Sequence, residues 1–284
     1  MGEERWQPPV PSGRVAMLDT FPSWLRTPII PWFRARLGAS WLERFFPAML
    51  VRFQMEMQQD FGFGVQEVYY DLEVTQFLRD CDDATFINLI DYLLVHGEED
   101  DYDPSSEVSD VELLNQLLSD GGSKWTVARV GTEDRVTERV PAGVLNSVQH
   151  ALTGADAAAQ KLQEAWLDAF GTEPRASIAY YTAVVAVENA AFAVIPVKKT
   201  EPTLADLFSL LEADTPKWKL ILRDNDRAPG GKALAQMLRT LWRGHDSRHG
   251  ASEYEDVTIE QARAAVMLAA TLVWWFRSGV VIPV

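Results

Sequence analysis

The chain is built from stretches of helical periodicity separated by short breaks rich in glycine, proline and polar residues. From Phe21 to Gly38 the apolar positions Trp24, Leu25, Ile29, Ile30, Trp32, Phe33 and Leu37 predict a helix, interrupted near Pro28 and Pro31. Ser40 is placed to cap a second helix running to about Asp60, with Trp41, Leu42, Phe45, Phe46, Met49, Leu50, Phe53 and Met57 at helical spacing. Residues 61–71 read as a connection, followed by short helices near 72–80 and 83–96. The second of these carries an inward stripe of Phe86, Leu89, Ile90, Leu93 and Leu94. Ser109-Asp-Val-Glu112 has the form of a capping box and opens a helix to Leu118. The period then changes to two: residues 125–130 and 135–140 alternate about Gly131–Asp134, which predicts a hairpin closed by Pro141.

Beyond Pro141 the pattern is helical almost throughout, with candidate helices at 142–152, 155–170, 176–195, 203–213, 230–244 and 258–277. Gly154, Gly171, Pro174, Pro196, Gly230-Gly231 and Gly250 supply the breaks, and Thr203–Asp206 and Thr258–Gln261 resemble capping signals. The last helix gathers Ala262, Ala265, Val266, Ala269, Leu272, Val273 and Phe276 on one face, and its alanines allow close helix–helix approach. The expected fold class is mainly α. A flexible lead-in (1–19) precedes an N-terminal, mostly helical domain ending in a small β-hairpin (20–141), and a C-terminal helical bundle (142–284) follows.

Composition narrows the possibilities. With 284 residues, 47% of them hydrophobic, the chain can bury a substantial core in one large or two small domains. The most apolar stretch, Ala179 to Ile195, carries Glu188 and Asn189 and reads as a buried helix, so no membrane span and no membrane partner are expected. The N-terminal residues lack the apolar region of a secretory signal. The lone cysteine, Cys81, reads as a core residue and leaves neither an intramolecular disulfide nor a cysteine-based zinc site, so a cytoplasmic setting without metal or cofactor is expected.

The net charge of −15 argues against non-specific nucleic-acid binding by the chain as a whole, and no DNA partner is expected. The charge is uneven, however. Residues 98–112 hold eight acids and no base, a pattern without calcium-loop spacing. Between Lys217 and His249 stand eight bases and three acids, a local excess of five positive charges.

That basic span ends in the run Leu238–Gly250, which holds Arg239, Arg243, Arg248, Asp246 and two of the four histidines, His245 and His249. Guanidinium groups match phosphate oxygens, and histidine can take or give a proton near neutrality. His245 and His249 lie four apart but lack the glutamate of a His-Glu-x-x-His zinc motif, and Gly230-Gly231-Lys232 lacks the rest of a P-loop. His96 stands at a helix C-terminus, where an imidazolium is favourable. Glu188, alone in an apolar segment, needs a partner, and Arg239 or Arg248 is expected to provide it.

The segments Ala165–Gly171, Ala179-Tyr180, Ala186-Val-Glu188, Thr203-Leu204 and Leu241-Trp242 through Arg248-His249-Gly250 carry a resemblance over about residues 145–278. They are similar to the C-terminal domains of abortive-infection phage-defence proteins, within the HEPN superfamily of helical bundles. The resemblance implies a bundle of four to five helices that often dimerises and, in catalytic members, a metal-independent RNase. The motif of those members is an arginine, roughly four to six intervening residues, and then a histidine. Arg243 with His249 matches it, and Arg239 with His245 matches at the same spacing. The polar residue that usually follows the arginine is here Gly244 or Thr240. The resemblance thus assigns His249 as general acid/base and Arg243 as phosphate stabiliser, with Arg248, His245, Asp246, Arg239 and Glu188 in support. RNA and a second copy of the chain become the expected partners. Two other readings of the same residues are a non-catalytic dimerisation or partner-binding bundle and a nucleotide-binding patch.

Overall fold

The computed structural model describes residues 20–37, 44–45, 48–64, 69–97, 108–223, 225, 227–243 and 256–284. It is mainly helical and divides into two compact units. The first comprises the described residues up to Ala128 together with Asp134–Arg139; the second comprises Arg129–Glu133 and Val140–Val284.

In the first unit a 3-10 turn, Ser23–Leu25, leads into α1 (Arg26–Arg36). The interruption expected at the prolines is absent. Pro28 lies in the first turn, where the missing N–H has no intrahelical partner to lose. Pro31 and Thr27, the residue four before it, are both exposed, so the orphaned carbonyl faces water. The helix expected from Trp41 begins instead at Ala48, as α2 (Ala48–Met57), preceded by the two-residue strand β1 (Arg44–Phe45). The cause is legible afterwards: Pro47 disfavours helical backbone at the residue before it. The expected cap, Ser40, lies outside the described residues. β1 pairs antiparallel with β2 (Tyr69–Tyr70), with Phe45 opposite Tyr69. Then come α3 (Asp71–Asp80), α4 (Asp83–His96) and α5 (Asp110–Asp120). Asp82 caps α4 by accepting from Thr85 N at 2.7 Å, and the predicted capping box of Ser109 and Glu112 opens α5.

The core of this unit is aromatic. Phe33 and Phe86 meet edge-on at 5.0 Å between centroids, and Phe53, Phe61, Phe63 and Phe77 form a second cluster. Buried cations are all committed to structure. Arg26 donates to Leu78 O at 3.0 Å and to Asp83 Oδ1 at 2.7 Å, and stacks on Phe86, so it binds the end of α3 to the start of α4.

The hairpin comprises β3 (Trp125–Val130) and β4 (Glu133–Glu138). Its turn is two residues long, not the four expected. Gly131 has φ +65°, the left-handed value that a tight hairpin turn requires at its first position, and this lets the second strand start at Glu133. Asp91 of α4 accepts from Arg135 Nη2 at 2.7 Å and from Val136 N at 2.7 Å, fixing β4 on the helix.

The second unit follows as α6 (Ala142–Leu152), α7 (Ala157–Phe170), α8 (Ala176–Val194), α9 (Ala205–Leu211), β5 (Trp218–Leu220), α10 (Gly230–Arg243), α11 (Ile259–Arg277) and β6 (Val281–Pro283). α7, α8 and α11 form the central bundle, with α6 against α7 and α11. The predicted stripe of α11, from Ala262 to Phe276, is buried throughout, and Thr258 with Gln261 forms its capping box. α8 is long and apolar enough to cross a membrane by length and composition, but half of that stretch is buried inside the fold. Like β1 and β2, the strands β5 and β6 were not expected from the sequence pattern: they pair antiparallel, with Lys219 opposite Ile282. Both strands are three residues long, too short for alternation to register.

Candidate functional site

α10 is the element that positions the predicted site. Its start is packed tightly: a Cβ on Gly231 would lie 2.5 Å from Leu211 O and 3.2 Å from Trp218 O, so only glycine lets α10 approach the end of α9 and β5 this closely. Leu234, Ala235, Leu238 and Leu241 then face the core, and Lys232, Gln236, Thr240 and Arg243 face solvent.

The C-terminal half of α10 is held from two sides. Tyr180 of α8, buried, donates its hydroxyl to Leu241 O at 3.0 Å. This satisfies one of the carbonyls left without a partner at the helix end. Burial pushes the Tyr180 phenol above its ordinary pKa, so it stays protonated as a donor. On the other side Arg239 makes a two-pronged ion pair with Glu212, just past α9, with Nη1–Oε1 and Nη2–Oε2 both at 2.7 Å. Its guanidinium also lies 4.6 Å from the centre of the Phe208 ring, which packs edge-on against Trp242. The hydrogen bonds from Arg239 hold the Glu212 carboxyl below the usual carboxylate range, and Glu212 in turn raises the pKa of Arg239.

The two arginines of the Arg/His spacings therefore differ. Arg239 is engaged by Glu212, whereas Arg243, the last residue of α10, is exposed and pairs with no acid among the described residues. A cation there is favoured by the helix dipole. His245, Asp246, Arg248 and His249 lie outside the described residues, so the structure gives no distance between Arg243 and His249.

Glu188 is not the partner of Arg239. Its Oε1 accepts from Leu204 N at 3.1 Å, placing a carboxylate at the start of α9. The expected pairing fails because Glu212, one helix turn from Phe208, already occupies the Arg239 fork. The alternative partner, Arg248, is outside the described residues. Glu188 thus supports the site at one remove, by fixing the helix that carries Phe208 and leads to Glu212. Sequence reasoning overlooked Glu212 and gave Tyr180 no role. They stand 27 and 61 residues from the groups they hold, and no local pattern links them.

Two further features lie apart from this run. A shallow cleft of about 370 Å³ between α6 and α11 is lined by His150, Ala151, Trp274, Arg277 and Ser278, remote from the Arg/His run in sequence. Its arginine is committed to Asp156 at 2.6 Å and to Ala151 O at 3.4 Å. Cys81 is half-buried beside Arg26, and burial raises its thiol pKa, as suits a structural cysteine. Among the described residues no three of His, Cys, Asp and Glu converge to hold a metal ion.

Compared with protein-family models, curated proteins and solved structures, the chain matches none. What the fold defines is a mainly helical protein of two compact units, the second of which carries an exposed arginine at the end of a braced helix.

Proposed function

We propose that the second unit is a metal-independent ribonuclease of the abortive-infection type, acting in the cytoplasm in defence against phage. Arg243 contacts the scissile phosphate and His249 serves as general acid/base. The observation that supports this reading is the contrast between Arg239, engaged by Glu212, and Arg243, exposed and without an acidic partner among the described residues, six residues before a histidine. It favours the second of the two Arg/His spacings in the sequence.

The reaction needs three things. A base removes the proton of the ribose 2′-hydroxyl, whose oxygen attacks the adjacent phosphorus. A fixed cation stabilises the added negative charge on the pentacovalent phosphate. An acid protonates the departing 5′-oxygen, leaving a 2′,3′-cyclic phosphate. Histidine fills either proton role, and two copies of the site across a dimer would fill both at once. The requirement for a 2′-hydroxyl restricts the substrate to RNA. Expression in bacteria tests the idea: growth arrests with the natural sequence and recovers with His249→Ala or Arg243→Ala. Equal, harmless expression of all three would overturn it.

A second reading, a non-catalytic dimerisation or partner-binding bundle, is favoured by one observation. α8 presents Ile178 and Tyr181 at 44% and 48% exposure on the most apolar helix of the unit, an outward face with no charge at those positions.

A further inference from the structure

The β5–β6 ribbon carries a surface that the proposed chemistry does not use. Directly paired residues of a ribbon share a face, and successive residues alternate between faces. Leu220 and its partner Val281 are buried, and Trp218 packs against the core, so these point inward. The alternation places Lys217, Lys219 and Ile221 on the outer face, with Ile282 opposite Lys219. Val284 N donates to Lys217 O at 2.9 Å, and Ile221 N to Val280 O at 2.8 Å, which carries the pairing one residue beyond each end. A ribbon covering a core ordinarily shows polar residues to water. Here Ile221 is 61% exposed, and Leu222, which follows it in the turn after β5, is 59% exposed.

The charges set among these aliphatic groups are positive. Between Lys217 and Lys232 stand five bases (Lys217, Lys219, Arg223, Arg227 and Lys232) and two acids (Asp224 and Asp226), an excess of three in a chain of net charge −15. Lys217, Lys219, Arg223 and Arg227 make no ion pair among the described residues.

We infer that this outer ribbon face, together with the turn that follows β5, docks on an anionic phospholipid surface, with Ile221 and Leu222 entering the headgroup region and Lys217 and Lys219 meeting the lipid phosphates. The combination fits that surface on both counts. Exposed aliphatic side chains gain by leaving water at the headgroup boundary, and long lysine stems let the ammonium groups stay at the charged layer. The local excess acts despite the net charge because salt screens more distant acids within about 8 Å. A single-stranded nucleic acid fits less well, since base stacking needs aromatic side chains where this face offers aliphatic ones. A second copy fits less well too, since a two-fold contact would set this cationic face against itself. The inference departs from the absence of a membrane partner expected from sequence, which rested on the lack of a spanning segment; peripheral docking needs none. It is independent of the ribonuclease proposal.

The test is co-sedimentation of the full chain with phosphatidylcholine vesicles, with and without about one-third phosphatidylglycerol. Binding to the anionic vesicles should be at least about tenfold stronger and should weaken with salt. The double variants Ile221→Asp/Leu222→Asp and Lys217→Glu/Arg223→Glu should each lower it by about tenfold or more, with the melting temperature unchanged because these side chains are exposed. Absence of binding, equal binding to both vesicle types, or wild-type binding by both variants would overturn the inference. So would finding that the same substitutions abolish self-association or nucleic-acid retention instead.

Discussion

Single side chains separate the two arginines on which the functional reading turns. Arg239 has an acid, a ring and a helix around it, and Arg243 is exposed with no acidic partner among the described residues. Arg239→Ala should therefore loosen α9 from α10, whereas Arg243→Ala should leave the melting temperature within about a degree of the wild type. Thermal denaturation of the two variants checks this. Tyr180→Phe removes a buried hydrogen bond and strands the Leu241 carbonyl, so it should cost about 1–2 kcal/mol and speed amide exchange in the last turn of α10. Hydrogen exchange by mass spectrometry reads that segment directly. Unchanged protection there would mean that the helix end is held by other contacts. In the first unit, Asp91→Ala leaves the Arg135 guanidinium without its carboxylate and should cost on the order of 3 kcal/mol in denaturant unfolding.

Elements show which of these relations the sequence could reveal. The helices after Pro141 were legible to within two residues at their ends because glycine or proline breaks bound most of them and capping residues such as Asp156 and Thr258 open two. Thr258 and Ser109 opened their helices as expected because a capping box is a local signal. Three features were not legible. The start of α2 is hidden in the sequence because aromatic residues continue at helical spacing through Trp41–Phe46, right up to Pro47. The hairpin turn was drawn too long because Glu133 and Asp134 look like turn residues; the φ of +65° at Gly131 completes the turn two residues sooner. The β5–β6 pair joins segments about 60 residues apart, and nothing local announces it. The candidate site divides in the same way: Arg243 was visible from a motif, while Tyr180, Glu212 and the true contact of Glu188 depend on which helices meet. Gly231→Ala tests the element-level packing. Its methyl group would meet backbone carbonyls, so α10 must shift, and a loss of about 1–3 kcal/mol is expected in thermal or denaturant unfolding.

At the scale of the molecule, the acidic character shapes the response to pH. Asp82, Asp206 and Glu212 all have pKa values lowered in the folded state, Asp82 and Asp206 chiefly by backbone hydrogen bonds and Glu212 by Arg239. Groups depressed in this way contribute stability that is present above their unfolded pKa and is lost as pH falls through the folded one. Thermal stability should therefore hold from neutrality down to about pH 5 and decline below about pH 4. In Glu212→Gln that decline should be shallower, because the paired carboxylate no longer titrates. The ribonuclease account is tested most directly by incubating the purified full chain with end-labelled RNA in the presence of a metal chelator and analysing the product ends. The account predicts cleavage leaving 2′,3′-cyclic phosphates, abolished by a 2′-deoxy substitution at the cut and reduced about 100-fold or more in both Arg243→Ala and His249→Ala. Cleavage that proceeds equally well in His249→Ala, or no cleavage of any RNA by the natural sequence, would contradict it.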